Sequence, residues 1–238
     1  MTPDPVPATA DFPRGPDAFA AGLPVVYERL LAAYGPQGWW PARTPFEVVV
    51  GAILTQHTSW RNVERALARL EVADALHPAG LRRLSTAELA ALIAPAGAPT
   101  AKARALLGFV AWLDGTCGGN MDRLQAAPLP VLRSQLLALR GIGPETADCI
   151  LLYAAGQPAF VVDAYTIRLF SRIGLCPPGI SYHRLQAHVH AALPPDPAVY
   201  GEYHALIVAH GKTACRAQAP RCADCVLRNR CAYGQQQG

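Results

Sequence analysis

The sequence predicts a nearly all-α fold. Apolar residues recur at helical spacing in one segment after another, capping signals stand at the starts of several segments, and period-two alternation is nowhere sustained. Of the 238 residues, 51% are hydrophobic and 16% charged. That charged share lies well below the roughly 25% of an average soluble domain, so a sizeable core is expected and general disorder is excluded. The length suits one large domain or two small ones.

The elements follow in order. Residues 1–22 carry Pro3, Pro5, Pro7, Pro13 and Pro16 among small residues and are expected to form a mobile tail. From Val25 onward the pattern is helical, with Val25, Val26, Leu30 and Leu31 on one face. Thr44-Pro45-Phe46-Glu47 reads as a capping box with Pro at the first helical position. Val63, Ala66, Leu67 and Leu70 predict a helix over 60–71. Ser85-Thr86-Ala87-Glu88 is a second capping box, ahead of Leu89, Leu92 and Ile93. Leu106, Leu107 and Val110 predict a helix over 101–114. Helices over 129–139 and 145–155 flank a Gly-rich joint, and helices over 164–173, 182–193 and 198–210 complete the set.

No apolar run approaches the ~20 residues that a membrane helix needs; the longest, over 48–54, reads as a short core segment. The start Met1, Thr2, Pro3, Asp4 has neither the basic patch nor the apolar stretch of a secretory signal, so a soluble intracellular protein is expected. Net charge is +4, and Arg dominates the basic side: 19 Arg stand against two Lys, Lys102 and Lys212. Arg suits bidentate phosphate contacts, and the scarcity of Lys removes candidates for amine chemistry.

Three features carry chemistry. Cys215, Cys222, Cys225 and Cys231 have the spacing C-x6-C-x2-C-x5-C. Four thiolates from one short loop can surround a metal centre. An intracellular chain disfavours disulfides. Structural zinc sites usually pair two C-x2-C knuckles, of which one is present. Spacing alone leaves zinc and an iron–sulfur cluster open. Cys117, Cys149 and Cys176 read as buried small hydrophobes.

Second, Arg140-Gly141-Ile142-Gly143 joins two apolar-faced helices. It is either an ordinary turn or a hairpin whose outward N–H groups and following helix N-terminus hold a phosphate. Third, Val161-Val162-Asp163 ends an apolar run and opens the helix over 164–173. Asp163 reads both as its N-cap and as a carboxylate at the edge of a dry pocket.

Together, in this order and spacing, the hairpin, the V-V-D segment and the four-Cys loop resemble the helix–hairpin–helix DNA glycosylase superfamily of the endonuclease III type. The resemblance runs from about Val25 to Cys231. It implies two helical domains. A six-helix barrel with the hairpin motif is expected over 45–162, and an iron–sulfur cluster domain over 23–44 and 163–238. It also implies a 4Fe-4S cluster on Cys215, Cys222, Cys225 and Cys231. The implied partner is double-stranded DNA whose damaged nucleotide is flipped out of the stack. A monomer in the bacterial cytoplasm, associated with the nucleoid, is expected.

Departures from the family sharpen the expectation. Bifunctional members carry a Lys in the second hairpin helix, where Glu145 stands here. Glu cannot form the imine that leads to strand cleavage, so lyase activity is expected to be weak or absent. Neither Lys102 nor Lys212 is expected at the pocket. Glu145 is either a second catalytic carboxylate beside Asp163 or a solvated first-turn residue complementing the helix dipole. Adenine glycosylases of the mispair branch carry a catalytic Glu where Gly51 stands, so the acid that protonates a neutral adenine is missing. Asp163 matches the catalytic carboxylate, which would stabilise the positive sugar or orient water.

Trp39-Trp40-Pro41, followed by Leu54-Thr55-Gln56-His57-Thr58-Ser59-Trp60, is similar to the 3-methyladenine DNA glycosylase III branch. There the corresponding aromatics line the base pocket; otherwise such Trp residues are hydrophobic anchors. Gln56 and His57 would fill the gap left by the flipped base or contact the opposite strand, although His57 also suits a core or cap position. The loop at Ala98 and Pro99 lacks the family's bulky wedge residues. His188 and His190, two apart, point to different sides of a helix. Arg216, Arg221, Arg228 and Arg230, with Arg140 at the hairpin, read as phosphate contacts or solvated surface. The expected activity is a monofunctional glycosylase for alkylated purines, 3-methyladenine first. An endonuclease III-like enzyme for oxidised pyrimidines and a catalytically silent damage-binding protein are the alternatives.

Overall fold

The computed structural model describes residues 18–236, and among them helices and turns account for all regular structure. In chain order the α-helices are α1 (Ala18–Tyr34), α2 (Pro45–Leu54), α3 (Trp60–Val72), α4 (Pro78–Arg82), α5 (Thr86–Leu92), α6 (Pro99–Cys117), α7 (Arg123–Ala126), α8 (Leu129–Ala138), α9 (Pro144–Cys149), α10 (Ala164–Ile173), α11 (Tyr182–Ala192), α12 (Pro197–Thr213) and α13 (Ala232–Gln235). Among the described residues no helix is long and apolar enough to cross a membrane. The chain forms two compact units: Trp40–Ala159, and the chain on either side of it.

In the Trp40–Ala159 unit, α2 is the central element. Phe46 and every residue from Val48 to Leu54 are buried, and α3, α6 and α9 pack against it. Its N-cap is Thr44, whose side chain accepts from the Glu47 N–H. The expected capping box is only half present here. Glu47 reaches back one residue further, to the N–H of Arg43 at 3.0 Å, because Arg43 also pairs with it electrostatically. At α5 the reciprocal box of Ser85 and Glu88 forms in full.

The two hairpin helices are joined by an ion pair that sequence patterning does not show. Arg133 on α8 donates from Nε and Nη2 to the two carboxylate oxygens of Asp148 on α9, at 2.7 and 3.0 Å. Asp148 is fully buried. A two-pronged bond to a buried carboxylate fixes the angle between the helices as well as their separation. After Cys149 the helix widens into a π-turn over Ile150–Ala154, a feature that re-aims side chains.

The second unit is built on α1, α10, α11 and α12 around Tyr200, Tyr203, Phe160 and Phe170. Phe160 meets both tyrosine rings edge-on. The expected tail ends earlier than anticipated: residues 18–22 already belong to α1, because the buried stripe Leu23, Val26, Leu30 runs through Pro24. The remainder of the expected tail, 1–17, lies outside the described residues. The helices over 164–173, 182–193 and 198–210 match α10, α11 and α12 within a few residues at each end.

Removing the Asp148 carboxylate would leave a largely buried guanidinium without its main partner. Asp148→Ala is expected to cost about 3 kcal/mol of folding free energy. Urea unfolding of the variant against the parent measures it; a loss under 1 kcal/mol would show that the pair does not organise the hairpin.

Candidate active site

Asp163 is the N-cap of α10. Its Oδ1 accepts from the Thr166 N–H at 2.7 Å and from the Thr166 hydroxyl at 2.9 Å. Its Oδ2 lies 3.6 Å from Nε2 of His204 on α12. The capping role is therefore real, and it occupies one oxygen. Burial pushes the carboxyl up, but the His204 ring and the two Thr166 bonds outweigh it and hold the group below the usual carboxylate range. An ionised carboxylate at neutral pH suits stabilisation of a developing positive charge or activation of water. His204 was not singled out from the sequence. Its signal, a buried His in a helix of Tyr and Ala, resembles that of many core residues.

The unit boundary falls between Trp39 and Trp40. Trp39 and Asp163 thus belong to one unit, and Trp40, Pro41, Gln56, His57, Trp60 and Glu145 to the other. In that second unit three half-buried rings meet. Trp40, on the loop before α2, lies 5.5 Å from Trp60 centre to centre, edge to face at 81°. Trp60 is the first residue of α3. The other neighbour of Trp40 is Tyr153, at 5.4 Å and 57°, and the sequence gave no sign of it. It lies in the apolar run after α9, and the π-turn sets its direction. Pro41 is exposed and sits at the centre of a tight turn closed by the Ala42 N–H on the Trp40 carbonyl.

The loop after α2 differs from expectation. Gln56 does not project outward: its Nε2 donates to the Gly141 carbonyl and to the Thr146 hydroxyl, both at 3.0 Å. An amide with two good acceptors in the hairpin has no reason to leave it. His57 is exposed and left-handed, with φ 53°. In the hairpin, Gly141 takes φ 89°, which only glycine adopts without strain. Gly141 and Gly143 are exposed, as is Arg140, but Ile142 is buried. The Ile142 N–H bonds to the Leu139 carbonyl at 3.1 Å, so this amide closes the turn and does not face outward as expected. Glu145 is exposed in the first turn of α9.

Lys102, not expected at the base pocket, lines an open cavity of about 170 Å³ with Gln56, His57, Ala98 and Gly141. Its ammonium is fully committed. Nζ donates to the carbonyls of Leu54, Gln56 and Ala96 at 2.9, 2.8 and 2.7 Å. The three donors of a lysine are thereby spent on ordering two loops. Burial lowers its pKa, yet no lone pair faces the cavity while these bonds hold. Ala98, which also lines the cavity, is left-handed with φ 45°.

Cys215, Cys222, Cys225 and Cys231 line one small cavity. Burial and the neighbouring thiols push Cys225 and Cys231 up. Donors reach three of the sulfurs: Arg172 Nη1 to Cys215 at 3.5 Å, the Gly234 N–H to Cys231 at 3.2 Å, and His210 Nε2 beside Cys225 at 3.6 Å. Four thiols whose charges repel, met by N–H donors, form a donor set that suits a cationic cluster. Among the described residues, no group of three or more His, Cys, Asp or Glu side chains is already arranged to hold a metal ion. Arg216 is half-buried and donates to the Ala219 carbonyl within the loop, and Arg221 is exposed. Arg230 is buried, so surface exposure expected from the sequence does not hold for it. His190 stacks on Tyr200 and accepts the Phe160 N–H, while His188 packs on Phe19; they form no joint site. Cys117, Cys149 and Cys176 are buried as expected.

Residues 50–195 match the HhH-GPD superfamily of base excision DNA repair proteins, and the chain belongs to that family. A candidate DNA repair glycosylase of Methanocaldococcus jannaschii is 43% identical over 207 residues, 87% of this chain and 94% of its own length. Among solved structures, an endonuclease III–DNA complex superposes with a TM-score of 0.79 at 23% identity, covering 92% of this chain and 97% of its own, which shows the shared fold. The Helicobacter pylori 3-methyladenine DNA glycosylase bound to 1,N6-ethenoadenine superposes with a TM-score of 0.69 at 25% identity, covering 82% and 97%.

The lowered pKa of Asp163 fixes a pH dependence. A carboxyl that titrates lower when folded contributes stability above the ordinary carboxylate range and loses it as pH falls through the folded value. Asp163→Asn is expected to be less stable than the parent at pH 7, with the gap closing toward pH ~3. Urea unfolding at both pH values measures this, and a gap independent of pH would contradict an ionised Asp163.

Proposed function

We propose that this chain is a monofunctional DNA glycosylase that releases alkylated purines, 3-methyladenine foremost, from double-stranded DNA. The cluster of Trp40, Trp60 and Tyr153 carries the reading. An N-alkylated purine is positively charged, and electron-rich ring faces favour it by ~0.5–2 kcal/mol per contact. Such a base is already a good leaving group, so a single ionised carboxylate suffices and no strong general acid is needed. Asp163 supplies that carboxylate. Glu145 in place of a nucleophilic Lys, and Lys102 with its donors spent on carbonyls, support hydrolysis without strand cleavage. The similarity to the H. pylori enzyme points the same way.

The exposed Gly141 and Gly143, with Arg140, would sit against phosphate, and Arg221 is a further candidate contact. Cys215, Cys222, Cys225 and Cys231 would hold a 4Fe-4S cluster that orders the C-terminal loop. The likeness to sequences named endonuclease III, one of them 30% identical over 212 residues, favours a second reading, release of oxidised pyrimidines.

Incubation with methylated duplex DNA is expected to release 3-methyladenine, with strand breaks only after hot alkali. Asp163→Asn should lower release by at least 100-fold while duplex binding stays within about threefold. Nicks without alkali would refute hydrolysis alone, and equal release by the variant would refute the role of Asp163. No release from methylated DNA, with release from oxidised DNA, would favour the second reading. Chain purified without oxygen is expected to carry about four irons, and Cys225→Ser to lose most of them; stoichiometric zinc in their place would overturn the cluster.

A further inference from the structure

Gly51 lies in the middle of α2, where glycine is a poor helix former and a buried alanine would ordinarily serve better. A Cβ built there would stand 3.1 Å from both Cζ2 and Nε1 of Trp40 and 3.4 Å from its Cε2. The three nearest atoms thus all belong to one indole. By contrast, a Cβ at Gly108 or Gly115, both inside α6, would meet nothing within 4 Å. The indole has little freedom to withdraw, because Trp60 and Tyr153 stand against it at 5.5 and 5.4 Å. The bare backbone of Gly51 is therefore the seat of the central ring of the cluster.

The geometry points to Gly51 as a specificity-determining residue: its missing side chain seats Trp40 as the wall for a cationic base, and the same seat excludes an acid that would protonate a neutral one. This inference rests on the alkylated-purine reading above. Release of a neutral purine needs a proton delivered to the leaving base, whereas a cationic purine leaves without one. Any side chain at position 51, an acidic one included, would press the indole out of this placement. The aromatic wall and the lack of a general acid are then one structural choice and not two.

The test is a double-mutant cycle on the full chain with Gly51→Ala, Trp40→Phe and the two combined. The shorter Phe ring lacks the outer indole carbon Cζ2, one of the two atoms nearest the new Cβ. Gly51→Ala alone is expected to slow single-turnover release of 3-methyladenine at least tenfold and to change the near-ultraviolet circular dichroism. Added to Trp40→Phe, it should change neither the rate nor the spectrum by more than about twofold. Affinity for a duplex with an abasic-site analogue, which places no base against the wall, should stay within twofold in all variants. If Gly51→Ala does not fold, recovery of folding in the combined variant supports the seat, and failure of both overturns it. Equal losses from Gly51→Ala in both backgrounds, or no loss at all, overturn the assignment while leaving the glycosylase reading intact. No release by the parent chain overturns both.

Discussion

The mooring of α10 is the constraint on which one whole unit depends. Its first turn is fixed by Asp163, the proposed catalytic carboxylate, which caps the helix through Thr166. Its outer face is fixed by two arginines. Arg168 donates to the carbonyls of Cys215 and Gly211, and Arg172 to those of Arg216 and Ala217. The cysteine loop has little regular structure of its own to satisfy its carbonyls, and these guanidinium groups do it instead. Each arginine also lies over a ring, Arg168 on Tyr165 and Arg172 on Tyr233. One helix therefore couples the order of the cysteine loop to the placement of the carboxylate.

The other unit solves a different problem, the ordering of exposed loops. Two loops and the hairpin are tied together by polar side chains pointing inward. Lys102 gathers the carbonyls of Leu54, Gln56 and Ala96, and Gln56 in turn holds Gly141 and Thr146. These bonds offset the strain of the left-handed residues His57 and Ala98, a cost of order 1 kcal/mol or more each. Gln56, which the family resemblance places at the DNA surface, is here bonded into the hairpin. Exposed there are His57, Gly97 and Ala98 on the loops, and Arg140, Gly141 and Gly143 on the hairpin.

Much of this was legible in the sequence, for physical reasons that differ by element. The bounds of α10 could be read because an Asp after an apolar run is a strong N-cap signal and Gly174 a strong C-terminal one. The capping box at Ser85 was legible because its two bonds are local. His204, Arg133–Asp148 and the Gln56 bonds were not, because each joins residues far apart along the chain through tertiary packing. Tyr153 was hidden by the π-turn, since helical spacing assigns side-chain directions for an α-helix only. The steric role of Gly51 could be stated from the sequence only as a missing acid; the indole that fills its place is visible only in three dimensions.

The proposed activity turns on the charge of the base released. The most direct measurement is mass spectrometry of the free bases that the chain liberates from two DNA samples, one treated with a methylating agent and one with an oxidant. The account predicts N-methylated purines from the first sample, with little or nothing above background from the second. Oxidised pyrimidines from the second sample, without methylated purines from the first, would contradict it.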